Sequence, residues 1–208
     1  MKLNLDKTKS IPFNFTRNFQ FEPELSLDGE YLGVVHETKL LGIIVTSNCR
    51  WDANTKQVVS KGNARLWFLR RLKILGGSQD TLIDIYKLFC RSVLEFGAHV
   101  WLGSLSKGNI DDIERVQRSA IKIILGNTFT NYEETLETIN EDTLKSRREK
   151  LCLNFAESCI KDDKFSSWFS KGIETRSGHY FAEPEARTRR YRNSAIPYLT
   201  RLLNNNIK

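Results

Sequence analysis

The feature that most constrains this sequence is a change of hydrophobic period at Trp51. Before it, Thr38–Val45 is nearly continuously apolar, as a buried strand is, and Gly42 inside it points to a bulge or a close backbone approach. From Trp51 onward apolar residues recur at helical spacing. The expected fold is α+β: a small N-terminal antiparallel sheet followed by a mostly α-helical bundle.

Upstream, Ile11, Phe13 and Phe15 alternate with Pro12 and Asn14, and Leu25–Leu27 meets Tyr31–Val35 across an Asp28-Gly29 hairpin signal. The spacing predicts a first helix over about 54–75, with Val58, Gly62, Leu66, Leu69 and Leu72 inside and Gly76-Gly77 ending it. A second helix starts at an N-cap, Ser78, and carries Leu82, Ile85, Phe89, Val93, Phe96 and Val100. A third, opened by Asn109, carries Ile110, Ile113, Val116, Ala120, Ile121 and Ile124 and stops at Gly126. Thr130 with Glu133 makes a capping box for a fourth, and a fifth from about Asp142 buries Leu144, Leu151, Phe155 and Cys159. Residues 161–192 read as an irregular polar linker. Ser194–Leu203 reads as a docked terminal helix with Pro197 near its start.

Charge narrows the partners. The chain of 208 residues carries a net charge of +7, which favours an acidic partner, and no apolar stretch approaches the ~20 residues that span a bilayer. Between residues 50 and 76, Arg50, Lys56, Lys61, Arg65, Arg70, Arg71 and Lys73 face one acid, Asp52. A solvated helix face mixes both signs, whereas this one resembles a track for phosphates; where the side chains point is open at this stage. Arg187, Arg189, Arg190 and Arg192 surround Tyr191, a pattern that suits single-stranded nucleic acid and equally a solvated loop.

Chemistry is harder to find. The Asp111-Asp112 and Asp162-Asp163 pairs sit at a helix start and in a polar turn, where the helix dipole and orphan amides account for them. Cys49, Cys90, Cys152 and Cys159 show no Cys-x-x-Cys pairing, which argues for reduced, packed thiols in an intracellular protein, nuclear or cytoplasmic. Cys152, Cys159 and His179 are imaginable metal ligands, but packing explains the two cysteines better, and no metal or cofactor is expected in this chain. His36, His99 and His179 have no adjacent nucleophile.

The pieces KLNLDKTKS (residues 2–10), KLLGIIVTSNCRW (39–51), RLWFLRRL (65–72), LFCRSVLEFGAHVW (88–101), NIDDIERVQRSAIKIILG (109–126) and RTRRYRNSAIPYLTRLLNNN (187–206) follow one another in a telling order. Together they resemble the back half of a jockey-like non-LTR retrotransposon reverse transcriptase. The resemblance implies a palm-edge and primer-grip-like segment (1–50), a thumb-like three-helix region (51–126), and a helical connection with a basic loop and terminal helix (127–208). It implies that Lys7, with Lys9 second, is the lysine that assists the leaving pyrophosphate, and that Leu41 and Gly42 approach the primer end. It implies an RNA template and DNA primer, or RNA/DNA hybrid, as partners, gripped by Lys56, Lys61, Arg65, Arg70, Arg71 and Lys73, with Arg187, Arg189, Arg190 and Arg192 in support. An intact polymerase of this kind holds Mg²⁺ on palm aspartates in a Tyr/Phe-x-Asp-Asp hairpin. This sequence has no such hairpin, so the expectation is a C-terminal fragment missing fingers and most of the palm, inert alone. Two other readings stand beside it: a stand-alone basic nucleic-acid-binding module, and a structural protein-interaction helical domain.

Overall fold

The computed structural model describes residues 4, 8–13, 24–27, 29–172 and 181–206. Phe15, Asp28, Lys7 and His179 lie outside the described residues. The chain divides into two compact units, residues 1–57 and 58–208, with the boundary inside the first helix.

In the first unit the strands are short: β1 (Lys9–Ser10), β2 (Ser26–Leu27), β3 (Glu30–Tyr31), β4 (Gly33–Val34), β5 (Glu37–Leu40) and β6 (Ile43–Thr46). They pair as three two-stranded ladders. β2–β3 and β5–β6 are antiparallel and β1–β4 is parallel. The α+β class holds, with small ladders in place of one sheet.

Thr38–Val45 is not one buried strand. Leu40 pairs with Ile43, so Leu41 and Gly42 form a two-residue turn with φ of 47° and 95°. Positive φ at both central residues is the turn whose twist matches a hairpin. Glycine adopts that φ freely; leucine does not. The usual Asn-Gly or Asp-Gly signal is missing, which is why the apolar run reads as continuous. The first turns of helix α1 (Asp52–Ile74) hold this hairpin: buried Asn54 accepts the Ile44 amide through Oδ1 at 3.1 Å, and Gln57 Nε2 donates to the Gly42 carbonyl at 3.3 Å.

The second unit is helical. α1 buries Val58, Gly62, Leu66 and Leu69, as its spacing predicts. Gly76 follows at φ 86°, and the Gly77 amide closes the end on the Leu72 carbonyl at 3.1 Å. Ser78 caps α2 (Gln79–Ile85) by accepting the Thr81 amide at 3.2 Å.

The helix then widens into a π segment, Tyr86–Arg91, before α3 (Ser92–Glu95). A π turn closes on i→i+5 hydrogen bonds and takes more residues than an α turn. The buried row is therefore Leu82, Tyr86, Cys90, Leu94 and Ala98, four apart, while Phe89, Phe96 and Val100 of the expected stripe are exposed. At the widened turn the Phe89 carbonyl accepts from Ser92 Oγ at 3.2 Å and from Arg65 Nη1.

After Gly97, α4 (Ala98–Trp101) buries Trp101, whose Nε1 donates to the Phe96 carbonyl at 3.1 Å. α5 (Lys107–Leu125) is capped by Ser106, three residues before the expected Asn109, and ends at Gly126 with φ 61°. α6 (Tyr132–Thr138) is capped by Asn131, not Thr130, and α7 (Leu144–Lys161) by Thr143. α7 buries Leu144, Cys152, Ala156 and Cys159 but leaves Leu151 exposed. α8 (Arg189–Arg192) is one turn, and α9 (Ala195–Asn206) docks on α7 through Leu199, Thr200 and Leu203.

Charged side chains lace this bundle. Arg148 of α7 is fully buried, stacked 5.7 Å from the Trp101 ring centre, and donates through Nε to the Leu144 carbonyl at 2.9 Å. Its Nη2 lies 3.9 Å from Glu114 Oε2, an ion pair rather than a hydrogen bond. Burial pulls the Arg148 pKa down, and Glu114 opposes that pull. Glu114 Oε1 accepts from Tyr132 Oη at 2.6 Å and from the Leu144 amide at 3.1 Å. Nearby, Lys87 and Arg91 meet Glu141 at 2.6 and 2.5 Å, and Arg147 meets Glu95 at 2.7 Å.

Candidate nucleic-acid interface

α1 carries six bases and one acid, Asp52, in its first turn. At 3.6 residues per turn the helix sorts them. Asn63, Trp67, Arg70, Arg71 and Ile74 fall on one face and are all exposed. Trp67 stands at the centre of that stripe, 62% exposed, with the Arg71 guanidinium 5.8 Å from its ring centre. Lys61 is exposed about a third of a turn away. Lys56 is exposed in the part of α1 that belongs to the first unit.

Two of the six bases face the bundle. Arg65 lies over the Phe89 ring at 4.3 Å and donates to the carbonyl of the π segment, so much of its fork is occupied. Lys73 Nζ donates to the Ile123 and Ile124 carbonyls at 2.6 and 3.1 Å, filling orphan acceptors at the end of α5 where the helix dipole favours a cation. A Cβ on Gly126 would come within 2.7 Å of that ammonium. Of the track expected from the sequence, Lys61, Arg70 and Arg71 stay open on the second unit, and Lys56 stays open on the first.

Phe68, edge-on to Phe89 at 5.6 Å between ring centres, and Leu88 are exposed apolar residues of the second unit.

The tail cluster is arranged differently. Thr188 caps α8 by accepting the Tyr191 amide at 3.2 Å. Arg187, Arg189, Arg190 and Arg192 are all exposed. Arg187, Arg189 and Arg192 line an open concavity of about 550 Å³ together with Arg201 of α9, and Arg190 lies outside it. Sequence reasoning missed Arg201, which is nine residues beyond Arg192 and inside an amphipathic helix; its one-sided charge among Leu199, Leu202 and Leu203 was the available signal.

At the hairpin tip, Leu41 is 88% exposed and Gly42 is held through its carbonyl by Gln57. Lys9 is exposed on β1.

The aspartate pairs do not fit a two-metal polymerase site. Asp112 is paired with Arg115 at 3.0 Å on the outside of α5, and Asp162 Oδ1 accepts the Lys164 amide at 2.9 Å in the turn after α7. Among the described residues no group of three or more His, Cys, Asp or Glu is placed to hold a metal ion. Burial pushes the Cys152 thiol up to about 12 and the Cys90 thiol to about 11, so both remain protonated at neutral pH. Among the described residues no helix is long and apolar enough to cross a membrane. No protein-family model, curated protein or solved structure matches the chain.

Proposed function

We propose that this chain is the template–primer-binding thumb and connection of a non-LTR retrotransposon reverse transcriptase, working inside the cell on RNA/DNA hybrid and inert as a polymerase by itself. The observation that carries this reading is the outer face of α1: Arg70 and Arg71 flank an exposed Trp67, and the only acid on the helix is in its first turn. Such a face meets a phosphate backbone by charge and offers a ring to a sugar or base, which reads shape rather than sequence. The Leu41-Gly42 tip, buttressed by Asn54 and Gln57, is the element that this reading assigns to the primer. Two-metal phosphoryl transfer rests on metal ligands that the described aspartates do not assemble, so primer extension with Mg²⁺ should stay at background.

The experiment is binding of a fluorescent RNA/DNA hybrid across a salt series. Arg70→Glu/Arg71→Glu leaves the buried row of α1 untouched and should weaken binding about tenfold to a hundredfold while flattening the salt slope by about two. Unchanged binding, with helicity intact, refutes the reading. It would point to the second one, a protein-interaction domain, which the exposed Leu88 and Phe96 favour.

A further inference from the structure

Among the described residues the concavity between the chain around α8 and the outer side of α9 is lined by one sign of charge. Arg187, Arg189, Arg192 and Arg201 line it with Ala186, Thr188 and Asn193, and none of the described carboxylates does. Among the described residues the Arg187, Arg189 and Arg192 guanidinium groups have no ion-pair partner. An open hollow of about 700 Å³ in the first unit makes the contrast, since there Arg50 and Lys56 share the lining with Glu37 and Asp52.

Arg201 is aimed into the concavity by its surroundings. It donates to the Arg192 carbonyl at 2.7 Å and to Asn193 Oδ1 at 3.5 Å, and Glu183, its one acidic neighbour among the described residues, stands 3.9 Å away. A half-buried guanidinium held this way has lost little freedom still to lose on binding, which is what favours an arginine fork over a mobile lysine for an oxyanion. Asn193 is fixed in turn, its carbonyl accepting Ser104 Oγ at 2.7 Å, so the floor of the concavity is tied to the bundle.

We propose that this concavity is a phosphomonoester site, taking the terminal phosphate of a nucleotide or of a nucleic-acid strand. A monoester carries close to two negative charges at neutral pH and three acceptor oxygens, whereas a phosphate within a strand carries one charge and two. Arg187, Arg189 and Arg192, with Arg201 fixed beside them as a further positive charge, match the former, and bidentate Arg–phosphate pairing gives the geometry. The volume suits one nucleotide-sized group and not a duplex. The proposal extends the reading above from a phosphate-tracking helix face to a second, end-recognising site, and it is testable apart from it.

The test uses the full chain and an oligouridylate of ~8 nucleotides, 3′-labelled, with either a 5′-phosphate or a 5′-hydroxyl. The phosphorylated strand should bind about tenfold tighter or more. Arg189→Gln/Arg192→Gln, at two exposed positions, should erase that preference. Arg70→Glu/Arg71→Glu should weaken both strands together and leave the preference intact, which separates failure of this site from failure of the α1 reading. Circular dichroism confirms that each variant is folded. Competition identifies the source: adenosine monophosphate that displaces the strand where adenosine does not assigns the site to free nucleotides, and its failure beside a retained strand preference assigns it to strand ends. Equal binding of the two strands by the unaltered protein overturns the proposal, as does a preference that survives Arg189→Gln/Arg192→Gln.

Discussion

Arg148 and Arg70 are the same residue type in opposite circumstances. The interior of the bundle encloses Arg148 completely, against Trp101 and Glu114, whereas the outer face of α1 exposes Arg70 about five turns from the helix's one acid. Arg65, Lys73, Arg91 and Arg147 resemble Arg148 in being engaged: each meets a carbonyl, a ring or a carboxylate of the bundle. Arg71, Arg189 and Arg192 resemble Arg70. A surplus of basic residues in a sequence is thus two populations, one that holds the fold together and one open to an anionic partner. Helical phase separates them better than local charge density does.

The sharpest way to break this division is to remove an engaged cation. Arg148→Met should cost about 3–5 kcal/mol in urea denaturation, because Glu114 is left buried beside an apolar side chain. Full stability in that variant would mean that the interior pair contributes nothing. Lys73→Met comes next. It strips two carbonyls at the end of α5 of a charged donor, for an expected loss of about 2 kcal/mol, with hybrid affinity changed by less than about twofold. A large loss of hybrid binding by a stably folded Lys73→Met protein would return Lys73 to the open population.

The smallest effect concerns His99, stacked on Phe155 at 4.1 Å between ring centres, whose pKa burial lowers below the ordinary histidine value. The unfolded chain takes up a proton there first, so the contribution is fully present above pH ~6.5 and is lost as pH drops below that value toward the lower folded pKa. His99→Phe keeps an aromatic stack and should flatten the fall in stability below about pH 6.5. An unaltered pH profile in that variant removes His99 from the account.

Much of this was legible from residue types alone. The buried row of α1, the Ser78 cap and the stop at Gly126 follow from local rules, since period, cap chemistry and positive φ are properties of a few neighbouring residues. The register beyond Tyr86 was not, because counting by 3.6 assumes an unbroken α-helix and the π segment breaks it, turning Phe89 and Phe96 outward. Nor was Arg148, since a charged residue on an apolar stripe reads as a helix edge until its carboxylate partner arrives from α5. The convergence of Arg201 with Arg187, Arg189 and Arg192 depends on how the chain returns to α9, which no local pattern encodes.

The π segment also sets how this chain can tolerate a change in its own length. Deleting one residue from Tyr86–Arg91 would let the helix close as a regular α-helix, and eleven residues at about 100° each would still bring Leu94 to within about 20° of the Leu82 face. The core row would survive, and the change would be confined to the wide turn, where the Phe89 carbonyl accepts from Arg65 and Ser92. Leu88, 78% exposed at the middle of the segment, can be exchanged for another side chain in place. Single-residue changes of length should therefore be tolerated within Tyr86–Arg91 better than inside α1 or α5, where each one turns the buried row by about 100°.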